Sequence, residues 1–344
     1  MSTMIEVNKD DKLLVSRTDR LGDLVLALPF IETLSLRYPG NQVDVIASLY
    51  ASPILENNPR IHKILRVQND QLKSNSHYRR ELLSKIIQGG YRAVIVLYPE
   101  RQMTKLFTEA GIPIRIGTAG RMYSLSYTHR LLHSRKGNRK HEYEYNLDFL
   151  RYFKDGAVFA SAAVYPTERE IANARRLLLS VGVTPPFIII HPGSGGSAER
   201  WPLENYIQLY NLLKINGHSV VMTGSSQERE KLVSASAHMP VAIKQIAGET
   251  DVRTLAAVLS LAEIVVSNST GPLHLAAAVG TKVVGLYPNK SVMSPLRWGP
   301  VGEGHVVIQP GETGSGNRPG INMESVSTLH VLNRIESQYK SIVR

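Results

Sequence analysis

Short apolar runs alternate with amphipathic helical segments along the whole chain, and this alternation limits the possible folds more than any other feature. In the first part the apolar runs are KLLVS, VDVIAS, IHKILRV, YRAVIVLY and IPIRIG. After Tyr165 the pattern starts again with FIIIHPG, HSVVMTG, EIVVSN and KVVGLYP. Runs such as EIVV lack polar alternation, as do strands that are buried on both faces of a parallel sheet. The sequence therefore predicts an α/β chain with two Rossmann-like, doubly wound parallel sheets.

The helical segments divide the chain into two predicted domains. The first domain, 1–165, contains a helix from about Asp23 to Tyr38 and ends its strand series with IPIRIG. The second domain, 166–344, opens with TEREIANARRLLLSVG, in which Thr167 is the predicted N-cap and Glu170 completes a capping box. The last segment, 323–342, is predicted to be a helix near the domain junction. A length of 344 residues suits two domains of ordinary size.

Features that the chain lacks exclude several classes of protein. It has no cysteine, which excludes disulfides, Cys-ligated zinc and thiol catalysis. No apolar run reaches the roughly 18 residues of a membrane span. The opening MSTMIEVNKDDK lacks the hydrophobic core of a signal peptide. These features predict a cytoplasmic enzyme.

Positive charge is concentrated in the predicted first domain. Up to Tyr165 the chain has 24 Lys and Arg against 16 Asp and Glu, within a net charge of +11 for the whole chain. From Arg101 to His141, nine basic residues occur with one acid, Glu109. Such a patch attracts a polyanion, which could be a phosphorylated substrate, an anionic membrane or nucleic acid. Nucleic acid is the least favoured because no nucleic-acid motif accompanies the patch, and a solvated basic loop is the alternative.

The polar turns after the strands are the predicted functional sites, because ligands of open α/β sheets bind at the carboxyl ends of the strands. In the first domain, KLLVS is followed by the turn SRTDRLGD. Gly22 permits a tight turn or a close approach to a ligand. Asp23 stands at a helix start, where the dipole stabilises a carboxylate by roughly 0.3–1 kcal/mol. Asp23 is therefore either an N-cap or a base that faces an interdomain cleft.

Two turns of the second domain carry features of a nucleotide site. HPGSGGSAERWP exposes successive N–H groups around Ser194, Gly195 and Gly196, as a phosphate nest does, and Arg200 adds a cation. No Gly-Lys-Ser/Thr follows, so this is not a Walker loop. In VVMTGSSQERE, Glu228 is placed to accept from both hydroxyls of a ribose, or only to complement the helix dipole.

The turn SNSTGP of the second domain precedes a helix that starts near Pro272. Asn268, Ser269, Thr270 and Gly271 present hydroxyls and N–H groups at the helix N-terminus, which suits a phosphate; an ordinary capped loop is the alternative. His274 in the same helix is also assigned to the donor site, although packing against the sheet is the simpler role because no metal-ligand spacing surrounds it. Together these turns predict a nucleotide in the C-terminal sheet and a reactive carboxylate in the N-terminal sheet.

The combination of these motifs resembles glycosyltransferase family 9, the ADP-heptose:lipopolysaccharide heptosyltransferases, over nearly the whole chain. The resemblance runs from LLVSRTDRLGDLVLALP through RIG and HPGSGGSAERWP to AEIVVSNSTGPLHLAAAVGT. The Asn-x-Ser/Thr-Gly-Pro-x-His-Leu-Ala-Ala block and the Leu-Gly-Asp turn are specific in combination. The resemblance implies the two-domain GT-B fold.

The resemblance also implies an inverting, metal-independent transfer that uses no cofactor, since the ADP-sugar is a substrate. The family's catalytic aspartate falls on Asp23, which would accept the proton of an acceptor hydroxyl as that oxygen attacks the anomeric carbon. Backbone amides and cations would stabilise the departing diphosphate without a metal. Arg17, the basic residue beside the Gly-Asp turn, is assigned to the donor phosphates, and Glu228 matches the ribose-binding acid approximately. The family's phosphate-contacting turns match Ser194, Gly195, Gly196, Arg200, Thr270 and Gly271.

The predicted partners are a nucleotide sugar, ADP-heptose in the first instance, and an anionic lipopolysaccharide or lipid-linked core acceptor. The chain would meet this acceptor at the inner face of the cytoplasmic membrane as a peripheral protein, with no nucleic acid involved. Acceptor contacts are predicted at Arg20, Arg115, Arg121 and His141.

Two residues depart from the family pattern and leave the donor sugar open. Ser269 stands where members usually carry Asp, which removes a carboxylate from the donor region. Glu199 stands where members tend to carry Lys, which replaces a phosphate-compatible charge with a repulsive one. The alternatives are therefore a family-9-like transferase that uses another nucleotide sugar, a GT-B epimerase or hydrolase, and a nucleotide-sugar-binding protein without catalysis.

Overall fold

Two compact units make up the chain, which a computed structural model describes for residues 4–133, 135, 137–154, 156, 159–194, 199–237, 242–311 and 322–342, the side chains of 340–342 excepted. The first unit comprises Met1–Lys136 and Lys140–Ala163, and the second comprises Gly137–Arg139 and Val164–Arg344. The boundary between the units, at 163/164, thus lies two residues before the predicted one. Three residues of the basic segment, 137–139, belong to the second unit.

The first unit is a six-stranded parallel sheet with helices. Its strands, in the spatial order β3-β2-β1-β4-β5-β6, are β1 (Lys12–Arg17), β2 (Gln42–Ser48), β3 (Lys63–Val67), β4 (Tyr91–Val96), β5 (Ile114–Thr118) and β6 (His129–Leu131). Its helices are α1 (Leu21–Val25), α2 (Leu28–Arg37), α3 (Asn69–Ser74), α4 (Ser76–Gly89), α5 (Arg101–Glu109) and α6 (Glu142–Leu147), with 3₁₀ turns at Ser52–Leu55, Met122–Ser126 and Asp148–Tyr152. Leu14, Val94 and Phe107 are fully buried in the core that joins the sheet to its helices.

The second unit is a five-stranded parallel sheet with the order β11-β10-β9-β7-β8. Its strands are β7 (Ile188–His191), β8 (Val220–Met222), β9 (Ile264–Asn268), β10 (Lys282–Leu286) and β11 (Val306–Ile308). Its helices are α7 (Glu168–Ser180), α8 (Leu203–Ile215), α9 (Ser226–Ser236), α10 (Val252–Ser260), α11 (Gly271–Ala278), α12 (Pro295–Trp298) and α13 (Thr328–Ile342), with 3₁₀ turns at Ser291–Met293 and Met323–Ser325. Helix α13 packs on α8 through the core of this unit.

The predicted fold class is confirmed, as is the capping box of Thr167 and Glu170 at the start of α7. Three details of the prediction are wrong. The helix expected from Asp23 to Tyr38 is two helices, α1 and α2, because a proline in a helix interior clashes with the carbonyl four residues earlier, and Pro29 stands at the start of α2. IPIRIG does not end the first series, since β6 follows it, and β11 extends the second sheet.

Candidate active site

The strand orders fix where each unit can bind a ligand. In the first unit the order reverses between β1 and β4, and in the second it reverses between β7 and β9. At such a switch point the connections leave in opposite directions, which opens a crevice at the carboxyl ends of the two strands. The turn after β1 carries Asp23, and the turns after β7 and β9 carry Ser194 and Thr270.

A buried arginine holds Asp23 in place. The guanidinium of Arg17, the last residue of β1, is only 3% exposed and lies 2.8 Å from Oδ1 of Asp23. Its Nε donates to Asp19 at 2.8 Å, and one further nitrogen lies 3.1 Å from Asn146 Oδ1 and 3.5 Å from Glu142 Oε1. Asn146 also donates to the carbonyl of Leu26, directly after α1. We call these five side chains the Arg17 cluster, and it joins the Asp23 turn to α6.

Three carboxylates belong to the Arg17 cluster, and one of them, Glu142, is also bonded to Arg135 at 3.1 Å. Burial raises the pKa of Asp19 to about 6, although Arg17 opposes the rise. The pKa of Arg17 rises in spite of its burial, because three carboxylates surround it. The guanidinium is therefore a permanent cation whose donors are directed at carboxylates and an amide. A direct phosphate contact by Arg17 stays a prediction, and it would have to displace one of these partners.

The expected N-cap role of Asp23 is not seen, since Arg20 holds that position in α1 and Asp23 follows in the first turn. The other predicted acceptor residues are used differently. Arg121 is exposed, like Arg20, whereas Arg115 donates from Nε to the carbonyl of Ser126 at 2.8 Å. His141 caps α6, where its ring accepts from the N–H of Tyr143. Arg20 and Arg121 thus have the accessibility that an acceptor contact requires, and all four acceptor assignments stay predictions.

In the second unit, the turn after β7 is fixed at both of its described ends. Ser194 is buried and accepts from Nε of Arg200 at 2.6 Å, so the hydroxyl orients the exposed guanidinium. Asn268, at the end of β9, accepts from the N–H of Trp201 and donates to the carbonyl of Pro192. Asn268 therefore ties this turn to β9. The predicted phosphate-binding residues Gly195 and Gly196 lie outside the described residues.

Glu228 lies against the same turn. Its Oε2 accepts from the N–H and the hydroxyl of Ser225, which forms a capping box at the start of α9. A Cβ atom placed on Gly193 would overlap both carboxylate oxygens, so the absence of a side chain there admits Glu228. Burial raises the pKa of Glu228, but hydrogen bonds from Ser225 and the charges of His191 and Arg200 outweigh it and lower the pKa. A ribose contact by this ionised carboxylate stays a prediction.

The turn after β9 presents the start of α11. Thr270 is the N-cap residue, with its hydroxyl 3.3 Å from that of Ser267, and Gly271 and Pro272 open the helix. Ser269, which replaces the expected aspartate, lies beside the buried Tyr287, whose hydroxyl donates to the carbonyl of Trp298 at 2.7 Å. His274 is only 5% exposed, which agrees with packing against the sheet more than with a ligand contact.

A lysine offsets the unexpected charge of Glu199. The side chains of Glu199 and Lys290 form an ion pair, in which Lys290 is 59% and Glu199 26% exposed. Lys290 follows β10, whose carboxyl end lies next to that of β9. Lys290, from the turn after β10, therefore balances the negative charge that Glu199 brings to the turn after β7.

Sequence reasoning missed Asp19, Glu142 and Asn146 as partners of Arg17, and Lys290 as the partner of Glu199. Asp19 could have been found, since it is a second acid within the Arg17 turn. The others are distant in the chain, and only the fold brings them together.

Among the residues that the structure describes, no group of three or more His, Asp or Glu could hold a metal ion. In the same part of the chain, no helix combines the length and apolar character that a membrane crossing requires.

Comparisons with known proteins agree with this architecture. The model of glycosyltransferase family 9 (heptosyltransferase) matches residues 79–318. A Haemophilus influenzae protein assigned only as a glycosyltransferase is 28% identical over 94% of this chain and 96% of its own. Lipopolysaccharide heptosyltransferase 2 of Salmonella typhimurium is 26% identical over 80% of this chain and 82% of its own.

Solved structures show the same fold. A family 9 glycosyl transferase from Veillonella parvula superposes with a TM-score of 0.85 at 20% identity, covering 97% of this chain and 99% of its own. Escherichia coli ADP-heptose lps heptosyltransferase II gives a TM-score of 0.80 at 22% identity, covering 97% and 100%. The fold is therefore the GT-B fold, as the sequence predicts.

Proposed function

We propose, from the premise that this chain belongs to glycosyltransferase family 9, that it transfers heptose from ADP-heptose to a lipopolysaccharide core acceptor with inversion and without a metal. The chain is a glycosyltransferase; the donor, the acceptor and the stereochemistry are the parts proposed. The observation that carries the proposal is Asp23, ion-paired to a buried arginine at the switch point of the first sheet.

In this mechanism Asp23 is the general base. Its Oδ1 accepts from Arg17, and we assign Oδ2 to the proton of the acceptor hydroxyl. As the proton leaves, the acceptor oxygen bonds to the anomeric carbon from the face opposite the leaving group. The bond from that carbon to the diphosphate oxygen breaks, and ADP takes the electron pair. A general base of this kind contributes about 10²–10⁴ in rate.

The second unit has the features that the leaving diphosphate requires. Thr270 and Gly271 open α11, and backbone N–H groups at a helix N-terminus stabilise phosphate oxygens. Arg200 and Lys290 are the exposed cations of the neighbouring turns, and we assign them to the diphosphate charges. Glu228 is assigned to the ribose hydroxyls through the carboxylate that faces Gly193.

Support for the donor and the acceptor comes from the relatives rather than from the geometry. The Salmonella typhimurium relative is a lipopolysaccharide heptosyltransferase, and an Escherichia coli structure of similar fold is an ADP-heptose lps heptosyltransferase. A lipid-linked acceptor would bring the chain to the inner face of the cytoplasmic membrane as a peripheral protein.

The test is transfer from ADP-heptose to a heptose-deficient lipopolysaccharide core, followed by the release of ADP. We expect release that needs both substrates, persists in EDTA and gives a product whose anomeric configuration is opposite to that of the donor. Release without acceptor would instead indicate a hydrolase or epimerase. Loss of activity in EDTA, or retention of configuration, would contradict the mechanism.

Ser269 favours one second candidate, a family 9 transferase with a different donor sugar. Ser269 is uncharged and lies beside the buried Tyr287, whereas the aspartate expected there would add a negative charge. Thermal shifts with ADP, UDP and GDP, and then with their sugar conjugates, separate the two candidates. Stabilisation by UDP or GDP alone would exclude ADP-heptose as the donor.

A further inference from the structure

The exposed side of α5, together with the adjoining 3₁₀ turn, forms a surface with both positive and apolar side chains. Arg101 and Lys105 stand four residues apart and so lie on one face of α5. Met122 and Leu125 stand three residues apart on the 3₁₀ turn, where residues i and i+3 eclipse. All four line one cavity of about 670 Å³. We call these four residues the α5 surface.

Both apolar side chains of the α5 surface are largely exposed. Met122 is 90% and Leu125 74% exposed. The opposite face of α5 is buried through Met103, Leu106 and Phe107, so the core of the unit does not need the α5 surface. Single exposed apolar residues are common, but two on the same side of a turn beside a cation pair mark an interaction site more strongly.

Several cations of the basic segment 101–141 are already paired within the unit, so fewer of them are available to a partner. Arg115 donates to backbone carbonyls, Arg135 pairs with Glu142, and Lys140 pairs with Asp148 at 2.8 Å. Lys105 lies 3.5 Å from Glu109, but both are solvent-exposed, and such pairs contribute little. Arg121 and Arg130 are exposed as well, but Arg101 and Lys105 line the same cavity as the apolar pair.

We propose that the α5 surface docks on an anionic phospholipid bilayer. Met122 and Leu125 enter the headgroup region, while Arg101 and Lys105 pair with lipid phosphates, the arrangement by which peripheral proteins bind membranes. A protein partner would need about 800 Å² from this chain, far more than two apolar side chains provide. The inference rests on the proposed function in one respect: a lipid-linked acceptor gives the chain a reason to bind a membrane.

The test is co-sedimentation of the full chain with phosphatidylcholine vesicles that contain or lack phosphatidylglycerol. We expect binding that needs phosphatidylglycerol and weakens with salt. In Arg101→Gln/Lys105→Gln, binding should fall about 30-fold, because each basic residue near an anionic surface contributes roughly fivefold. In Met122→Ser/Leu125→Ser, vesicle binding should fall about tenfold or more. The two side chains enter the bilayer only in part, and together they lose about as much burial as one fully buried apolar side chain.

Matched controls come from exposed residues of the second unit. Ile215→Ser removes an apolar side chain that is 80% exposed, and Arg175→Gln/Lys231→Gln removes two exposed cations. These variants should bind vesicles as the wild type does. Equal losses in the controls, or undiminished binding in both α5-surface variants, would overturn the proposal. Capture of an acidic protein without any binding to vesicles would also overturn it.

A second readout separates this inference from the proposed function. Stabilisation by ADP and transfer to a delipidated core acceptor should be unchanged in both α5-surface variants. If the wild type binds vesicles but transfers no sugar, the docking surface stands and the proposed function is contradicted. If it transfers the sugar but does not bind vesicles, the proposed function stands and the docking surface is contradicted.

Discussion

The turn after β1 in the first unit and the turns after β7 and β9 in the second occupy equivalent places in two parallel sheets, yet their chemistry differs. The first gathers ionised side chains, with Arg17 buried among Asp19, Asp23 and Glu142. The others present small residues and hydroxyls, such as Ser194 and Thr270, with the cations at the exposed rim.

The difference indicates a division of labour. A group that must change its protonation during a reaction benefits from fixed charges around it, which the Arg17 cluster provides. A diphosphate gains negative charge as it leaves, and N–H groups and hydroxyls stabilise that charge without changing their own protonation. We therefore assign proton acceptance to the first unit and nucleotide binding to the second.

Asp23→Asn should cause the largest change. Transfer should fall by about 10³-fold, because the amide cannot accept the proton, whereas the affinity for ADP should stay the same. Steady-state transfer and calorimetric titration with ADP measure the two effects. The control is Asp70→Asn, an exposed acid in the first turn of α3. Substantial transfer by Asp23→Asn would remove this carboxylate from the chemistry.

Arg17→Met and Arg253→Met compare a buried arginine in each unit. Arg253, 8% exposed, donates to Glu170 at 2.7 Å and ties α10 to α7. Arg17→Met should lower the free energy of unfolding by about 3–5 kcal/mol, since the buried carboxylate of Glu142 loses a partner. Arg253→Met should lower it by about 1–3 kcal/mol, because Glu170 is 23% exposed and loses a charged hydrogen bond. At temperatures where both variants are folded, only Arg17→Met should lose transfer, by about 10²-fold. Urea unfolding and transfer assays provide the data, and an equal loss of transfer in both variants would contradict the assignment.

Lys290→Gln should weaken ADP binding about tenfold, because a charge-assisted contact to phosphate is lost. Glu199→Gln should strengthen it, since Lys290 no longer divides its charge between Glu199 and the ligand. Isothermal titration with ADP tests both, with Lys231→Gln as the exposed control. If the affinity of Lys290→Gln equals that of the wild type, the lysine does not replace the missing cation.

The remaining expected effects, about 1–3 kcal/mol, are pH-dependent and opposite in sign in the two units. Burial raises the pKa of Asp19 from its ordinary 3.8 to about 6. The folded state therefore binds a proton that the unfolded state does not bind between pH 6 and 4. Over that range, acidification should stabilise the wild type relative to Asp19→Asn.

Glu170 behaves in the opposite way. The hydrogen bond from Arg253 lowers the pKa of Glu170 from 4.5 to about 2. The contribution of Glu170 to the free energy of unfolding is present above pH 4.5 and is lost as the pH falls toward 2. The advantage of the wild type over Glu170→Gln should therefore shrink over that range. Urea titrations between pH 3 and 7 measure both differences, and parallel pH profiles for all three proteins would contradict the two shifts.

The sequence predicted the fold because buried parallel strands leave a strong local pattern. Of the two strands that it missed, β6 reads HRL and has one apolar residue, which is too little pattern. β11 reads VVI and could have been predicted, as the equally short β8, VVM, was. The break between α1 and α2 could have been predicted from Pro29. No feature of the local sequence predicts that residues 137–139 belong to the second unit.

The candidate site was predictable where one turn holds the chemistry, as for Asp23 and for Thr270 with Gly271. It was not predictable where distant segments meet. Arg17 and Asn146 are 129 residues apart, and the pairing of Glu199 with Lys290 depends on the order of β7, β9 and β10 in the sheet. Sequence reasoning could therefore name Arg17 and Asp23 but not Glu142 and Asn146, which α6 brings to them.

Hydrogen exchange with and without ADP tests the division of labour most directly, because it reports on both units in one sample. The account predicts that ADP slows amide exchange in the second unit at 270–275, the start of α11, and leaves 17–25 in the first unit unchanged. Slowed exchange at 17–25 with no change at 270–275 would place the nucleotide in the first unit and contradict the account.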